Sequence, residues 1–496
     1  MEEILNITDV VAPPIIKWAF HENPTTSQKL IPFVIFVITL FIFLLKAKFV
    51  EVFNKKKPFP YHLPPGPHPW PIVGSVPEML KNRPAYRWIH RVMKELNSEI
   101  ACFRLGKTNV AAVSSPEIAR EFLKKNDAVF ASRPITITSG IFSHGFLTTG
   151  VTPWNKQWKK MRMVLISDVV NESNTRWLLE KRNEEVDKLI KFVYNQCSIN
   201  NGGSSSSPSL LGQVVNVRTA AQHYSGSVMR KMMFSKRYFG KGREDGGPGD
   251  EEEELVSALS SMLLYLRVSD AIEVMKKYQN GIVNERIQQW REGKKMVAED
   301  LLDVFISLKH ENGDPMLSAE EIKAQIMEIL LATVDNPANA AEWALSEMLN
   351  RPQQLQKAVE ELDSVVGKDR LVQEHDIPNL HYINACAREA LGRSMFPISP
   401  PPTALWQATS SPKAEAYSEP ELRFITFTVG RRSCLGGWPG STITVMLFAR
   451  LLQGYTWSMP PGVEKIDLTE ADPLLKAMPL YAHTKPRLSP TVYPAN

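Results

Sequence analysis

An apolar periodicity that begins at Ile322 constrains this chain most. Ile322, Ile326, Ile329, Leu330 and Thr333 recur at i, i+4, i+7, i+8 and i+11, which places them on one face of an α-helix. The pattern runs on to Asn350. At about 1.5 Å per residue such a helix is about 43 Å long, enough to cross a large domain. Pro337 falls inside it and has no N–H, so the carbonyl of Thr333 loses its partner four residues on. The smooth continuation Ala338–Met348 predicts a kinked helix at that point and not a helix end.

The rest of the chain also reads mostly helical. Gln353–Val366 is a further helix, with Glu360 and Glu361 on its polar side. Short β-like stretches are Ala101–Leu105, Val110–Val113 and Phe424–Thr428. Ser198–Ser209 is a surface loop by composition, and the acidic run in Gly246–Glu254 reads as a solvated helix start. No repeat is present and neither loop flanks an independent unit. The expected class is therefore mainly α with small β-sheets, in one large domain over residues 72–496.

Four cysteines in 496 residues, Cys102, Cys197, Cys386 and Cys434, are scattered without CxxC spacing. That usage fits a reducing compartment and argues against a disulfide framework. Leu30–Leu45 is apolar except for Thr39, and lysines rather than small residues follow it. This predicts an uncleaved transmembrane anchor over residues 30–50. Lys46, Lys48, Lys55, Lys56 and Lys57 after the run put the body on the cytosolic side, with residues 1–29 lumenal. Residues 51–71 are basic and proline-rich, which makes a stiff hinge. A net charge of only +5, much of it beside the apolar run, points to a membrane surface and away from nucleic acid.

The strongest chemical signal is Phe427-Thr-Val-Gly-Arg-Arg-Ser-Cys-Leu-Gly436. A thiolate at Cys434 needs stabilisation, and backbone N–H groups in a glycine-permitted tight turn can supply it. The segment resembles the heme-binding loop of the cytochrome P-450 superfamily, F-x-x-G-x-R-x-C-x-G, at every defined position. The resemblance implies the P-450 fold and heme b, with Cys434 as the axial iron ligand. A thiolate in that position pushes electron density through iron and favours O–O cleavage. It further implies that Arg432 neutralises a heme propionate, that Phe427 shields the ligand, and that Gly430 and Gly436 shape the loop. Trp158 and Arg162 match the W-x-x-x-R motif, whose side chains reach a propionate from one helix face. Phe130-Ala-Ser-Arg-Pro134 is similar to the segment leading into the loop over the active site.

Most members carry a threonine in the oxygen-activation segment of the long helix. Here Ala332-Thr-Val-Asp-Asn-Pro337 has Asn336 at that place. This departure, together with Ala341–Leu345 and Lys231–Gly247, resembles plant amino-acid N-monooxygenases, which make aldoximes for cyanogenic glucosides and glucosinolates. Two N-hydroxylations of an L-amino acid are then implied, followed by dehydration and decarboxylation, with Thr333, Asp335 and Asn336 as catalytic residues. Phe142, Leu147, Thr148, Met478, Pro479 and Leu480 are expected to line the substrate pocket. Electrons would come from NADPH through a separate NADPH–cytochrome P-450 reductase in the endoplasmic reticulum membrane, since no dinucleotide fingerprint is present.

The family's E-x-x-R motif should fall at Glu389, but its arginine position is Gly392 and the nearest arginine is Arg393. Glu389 and Arg393 form an i, i+4 pair, with Arg393 rotated by about 100° from the expected site. Residues 392–422 lack part of the family's sheet region before the heme loop, and a second shortening lies near 266–269. A carbon-hydroxylating plant monooxygenase and an inactive truncated paralogue are the alternatives to an N-monooxygenase.

Overall fold

Ser318 starts the central helix. Its hydroxyl accepts from the Glu321 N–H at 3.2 Å while the Glu321 carboxylate accepts from the Ser318 N–H at 2.8 Å, a reciprocal cap. The computed structural model describes residues 34–41, 63–198, 214–263, 268–395, 426–471 and 475–494. In it the helix spans Ala319–Leu349 and passes through Pro337, as the periodicity predicted. From Val334 onward it is buried except at Asn336, so it serves as the axis of the core and not as an amphipathic surface helix.

Among the other helices, in chain order, are α1 (Lys156–Val164), α2 (Leu179–Ser198), α3 (Val217–Phe234), α4 (Asp250–Leu263) and α5 (Val268–Arg291). The central helix is α6, followed by α7 (Pro352–Val365), α8 (His381–Met395) and α9 (Gly437–Gly454). α3, α8 and α9 pack along α6. One apolar cluster runs through all of them, and truncating one of its leucines to alanine would cost about 2–5 kcal/mol. Arg450 of α9 is fully buried, donating to the Val372 carbonyl at 2.5 Å and to Asp187 of α2 at 2.7 Å.

Sheets are small. β1 (Ile100–Leu105) and β2 (Thr108–Val113) form an antiparallel hairpin with Ile100 opposite Val113, close to the predicted strands. β3 (Val214–Asn216), β7 (Tyr481–Pro486) and β4 (Tyr455–Ser458) make an antiparallel sheet in the order β3-β7-β4. β5 (Glu470–Ala471) and β6 (Leu475–Lys476) pair as a two-residue ladder. The class is mainly α with small sheets.

Several local expectations change. The strand expected at Phe424–Thr428 is a turn where it is described, because Thr428 takes φ +53° to fold the loop back. Glu361 is not a solvated charge: it accepts from the N–H groups of Tyr382 (2.7 Å) and Ile383 (2.8 Å), capping the start of α8. Within the acidic run, Glu252 is buried and accepts from Phe239 N–H (2.6 Å) and Gly249 N–H (3.1 Å). Chain contacts divide the protein into Met1–Pro64 and Pro65–Asn496, a boundary inside the expected hinge. Residues 34–41 of the expected anchor are helical, and its remainder lies outside the described residues. Among the described residues no helix is long and apolar enough to cross a membrane. Most of the 198–209 loop and the segments 264–267 and 396–425, which take in part of the shortenings near 266–269 and 392–422, also lie outside them.

Candidate functional site

The loop before α9 is held by its own backbone. Cys434 N–H donates to the Phe427 carbonyl at 2.8 Å, the Thr428 hydroxyl donates to the Arg432 carbonyl at 3.2 Å, and Gly430–Arg432 make a 3-10 turn. Gly430 has φ +76°, and a Cβ there would lie 2.0 Å from the Leu123 carbonyl oxygen. Its part is thus to let the loop sit on residues 121–130 and not to border the cavity. Arg431 completes that seam, with Nε 3.0 Å from Oδ1 of Asp127.

Cys434 faces a cavity of about 300 Å³ whose wall includes Phe427, Arg432–Gly436 and one face of α6. The thiol is open to this space although protein surrounds it closely on its other sides. Burial pushes its pKa up, and the Gly436 N–H and the Arg162 guanidinium oppose that shift. Both opposing groups favour the thiolate.

Arginines concentrate here. Arg162 donates from Nη1 to the Ser433 carbonyl at 2.7 Å and from Nη2 to the Ser433 hydroxyl at 3.1 Å. Arg432 donates to the carbonyls of Ala131 (2.5 Å), Thr149 (3.0 Å) and Thr152 (2.7 Å), and its guanidinium stands 4.4 Å from the centre of the Trp158 ring. Burial, then the charges of Arg133 and Arg162, pull the Arg432 pKa down to about 10. Trp158 does not border the cavity; its indole N–H donates to the Thr149 carbonyl at 2.9 Å and its ring supports the arginines. Arg133 lines the cavity too. In the sequence its segment, Phe130–Pro134, carries a loop signal, and nothing local marks the arginine.

From α6, Thr333, Asn336 and Pro337 reach the cavity. The Thr333 hydroxyl donates to the Ile329 carbonyl (2.8 Å), and Asn336 Nδ2 donates to the Ala332 carbonyl (2.8 Å). Asp335, expected beside them, is not on the wall. One helical step turns it into the packing against α3 and α4, where Gln222 (2.8 Å) and Ser260 (3.5 Å) donate to it and burial raises its pKa. None of the six expected pocket residues borders the cavity either. Thr148 is fully buried, Leu480 is in the core with its N–H on Glu342 (2.7 Å), and Met478 is exposed. Phe142 packs on the core, while Leu147 and Pro479 are half-buried. Thr149 and Gly150, next to two of them, do line it. Glu389 is half-buried and engaged on α8; the side chain of Arg393, and hence their pairing, lies outside the described residues.

A family model for cytochrome P450 matches residues 64–399. The chain belongs to the cytochrome P450 family. The match ends at residue 399, inside the shortened segment and before the Cys434 loop. A tryptophan N-monooxygenase from Prunus mume is 51% identical over 524 positions, covering 92% of this chain and 96% of the relative. That alignment is longer than the chain's 496 residues, so the relative has segments with no counterpart here. A valine N-monooxygenase from Manihot esculenta is 45% identical, covering 89% of this chain and 90% of its own. A phenylalanine N-monooxygenase from Arabidopsis thaliana is 44% identical, covering 87% and 92%. Among solved structures, a zebrafish cytochrome P450 with abiraterone matches with a TM-score of 0.62 at 18% identity, covering 82% of this chain and all of that one, which shows the fold. This P450's cofactor is heme iron, with electrons supplied by a reductase. The cavity fits that group: a thiol faces it and three arginines line it.

Proposed function

We propose that this P450 is an amino-acid N-monooxygenase that converts an L-amino acid to its aldoxime by two N-hydroxylations, dehydration and decarboxylation. The observation that carries the reading is Asn336-Pro337 on the cavity wall. The names of the relatives, all N-monooxygenases of amino acids, support it. Cys434 would hold the iron, and Arg133, Arg162 and Arg432 would pair with the propionates. Bound heme supplies activation of O2 with electrons from a reductase.

The protein's own groups do the rest. An amine is hydroxylated in its neutral form, and the apolar wall of Leu165, Val169, Met229 and Ile329 disfavours the ammonium. Asn336 uses its N–H on the Ala332 carbonyl, which leaves its carbonyl oxygen to accept from the amine. Pro337 leaves the Thr333 carbonyl without its helical donor, a second acceptor for an amine or a water at the wall. Asp335 acts behind this surface by fixing the helix against α3 and α4. Residues 30–50 anchor the chain in the endoplasmic reticulum membrane with residues 72–496 cytosolic, next to an NADPH-dependent reductase.

Reconstitution with reductase, NADPH and single amino acids tests the reading. Oxime from at least one amino acid is expected, together with a thiolate-type band in the carbon-monoxide difference spectrum of the reduced protein. A normal band with no oxime from any standard amino acid would favour carbon hydroxylation. Absence of the band would sink both enzyme readings and leave an inactive paralogue.

A further inference from the structure

The wall of the cavity holds one carboxylate among its described side chains, Glu328 of α6. Its Oε2 accepts from Thr149 N–H (2.9 Å), from the Thr149 hydroxyl (2.8 Å) and from Gln325 Nε2 (3.1 Å). Its Oε1 accepts from Gly150 N–H at 2.7 Å. On its other side the Thr149 carbonyl accepts from Trp158 Nε1 (2.9 Å) and Arg432 Nη1 (3.0 Å). Each polar atom of Thr149 is therefore engaged: its donors face α6 and its acceptor faces Arg432 and Trp158. We propose that Glu328 is a positioning residue for Arg432, a heme-binding cation, clamping Thr149 and Gly150 so that the Thr149 carbonyl holds Arg432 and its Trp158 platform in place.

Two features argue for a designed clamp over an incidental surface contact. The bonds run from a charged acceptor to two successive backbone N–H groups, a strong and directional arrangement. Gly150 also leaves room for it, since a Cβ there would lie 2.6 Å from Oε1 and 3.2 Å from the carboxyl carbon. Glu328 precedes Asn336 by about two turns, about 12 Å along the axis, so it does not touch the reacting nitrogen. The inference holds whichever atom the enzyme hydroxylates, because it concerns Arg432 and not the substrate.

The test compares full-length, heme-loaded wild type with E328A, E328Q, G150A and the E328A/G150A double variant in lipid nanodiscs. One readout is the rate of heme transfer to apomyoglobin, and the other is hydrogen exchange at the amides of 149–152. Leu330→Ala, on the core side of the same helix, controls for general loss of packing. Heme loss about tenfold faster and amides 149 and 150 deprotected are expected in E328A and G150A, with L330A near wild type in both. E328Q keeps the size of the side chain but turns donors toward donors, so it should show the same direction. Because the clash of a Cβ at 150 vanishes with the carboxylate, the double variant should lose heme no faster than E328A. Wild-type heme retention and amide protection in E328A and E328Q would overturn the proposal, as would multiplicative effects in the double variant. If E328A does not accumulate, E328Q and G150A decide by the same readouts.

Discussion

At the residue scale, the site depends on a few atoms with no slack around them. Gly430 is the clearest case, with φ +76° and a carbonyl oxygen 2.0 Å from where a Cβ would be. Gly430→Ala should therefore cost at least about 2 kcal/mol in chemical denaturation, from backbone strain and displacement of the Leu123 segment. A cost under about 0.5 kcal/mol would mean that the loop does not need this seat. The sequence identified this glycine but not its role: the motif suggested cofactor contact, while its neighbour is a carbonyl some three hundred residues earlier in the chain. Asp335 shows the same limit from the other side. Its place next to Asn336 made it look catalytic, yet adjacent residues on a helix point about 100° apart, so one faces the cavity and the other the core.

At the element scale, helix ends and buried charges carry consequences that periodicity does not show. Glu361 caps α8 from α7, and Glu361→Ala leaves the N–H groups of Tyr382 and Ile383 without their acceptor. A loss of about 1–2 kcal/mol in urea denaturation is expected, larger than for Glu360→Ala on the exposed side of the same helix. In α3, His223 is buried beside Arg230 and Arg237, with Nε2 3.1 Å from the Gly246 carbonyl oxygen. Burial first, then the arginine charges, push its pKa from the ordinary 6.5 down to about 3. The unfolded chain then takes up a proton near pH 6.5 that the folded protein refuses until about pH 3, so folding loses stability as pH falls through that window. Between pH 7.5 and 5.5, wild type should lose about 1 kcal/mol more than His223→Gln in urea denaturation. Equal losses in the two proteins would show that His223 titrates normally.

At the scale of the whole molecule, the division at Pro64 separates a terminal unit from a body that contains the whole cavity wall. A chain starting at Pro65 should keep the thiolate-type carbon-monoxide band and move from the membrane pellet to the supernatant on sedimentation. Loss of the band in an otherwise soluble body would show that residues 1–64 are needed for folding or heme retention. The class, the long axial helix and the ligand loop were all legible in the sequence. Each rests on local rules: a 3.6-residue period, and a glycine and cysteine at fixed spacing within ten residues.

The composition of the cavity wall was not legible. Phe142, Leu147, Thr148, Met478, Pro479 and Leu480 were reasonable by position along the chain, but the fold turns them away. It brings in Thr149, Gly150, Arg133 and Glu328 instead. Which face of a loop meets a cavity is set by tertiary bonds, such as those from Thr149 to Glu328 and Arg432, that join residues far apart in sequence. The sequence by itself determined the helical class, the Cys434 loop and the Asn336-Pro337 departure. Only the tertiary structure decided which side chains surround them, because that choice depends on packing between elements and no local period encodes it.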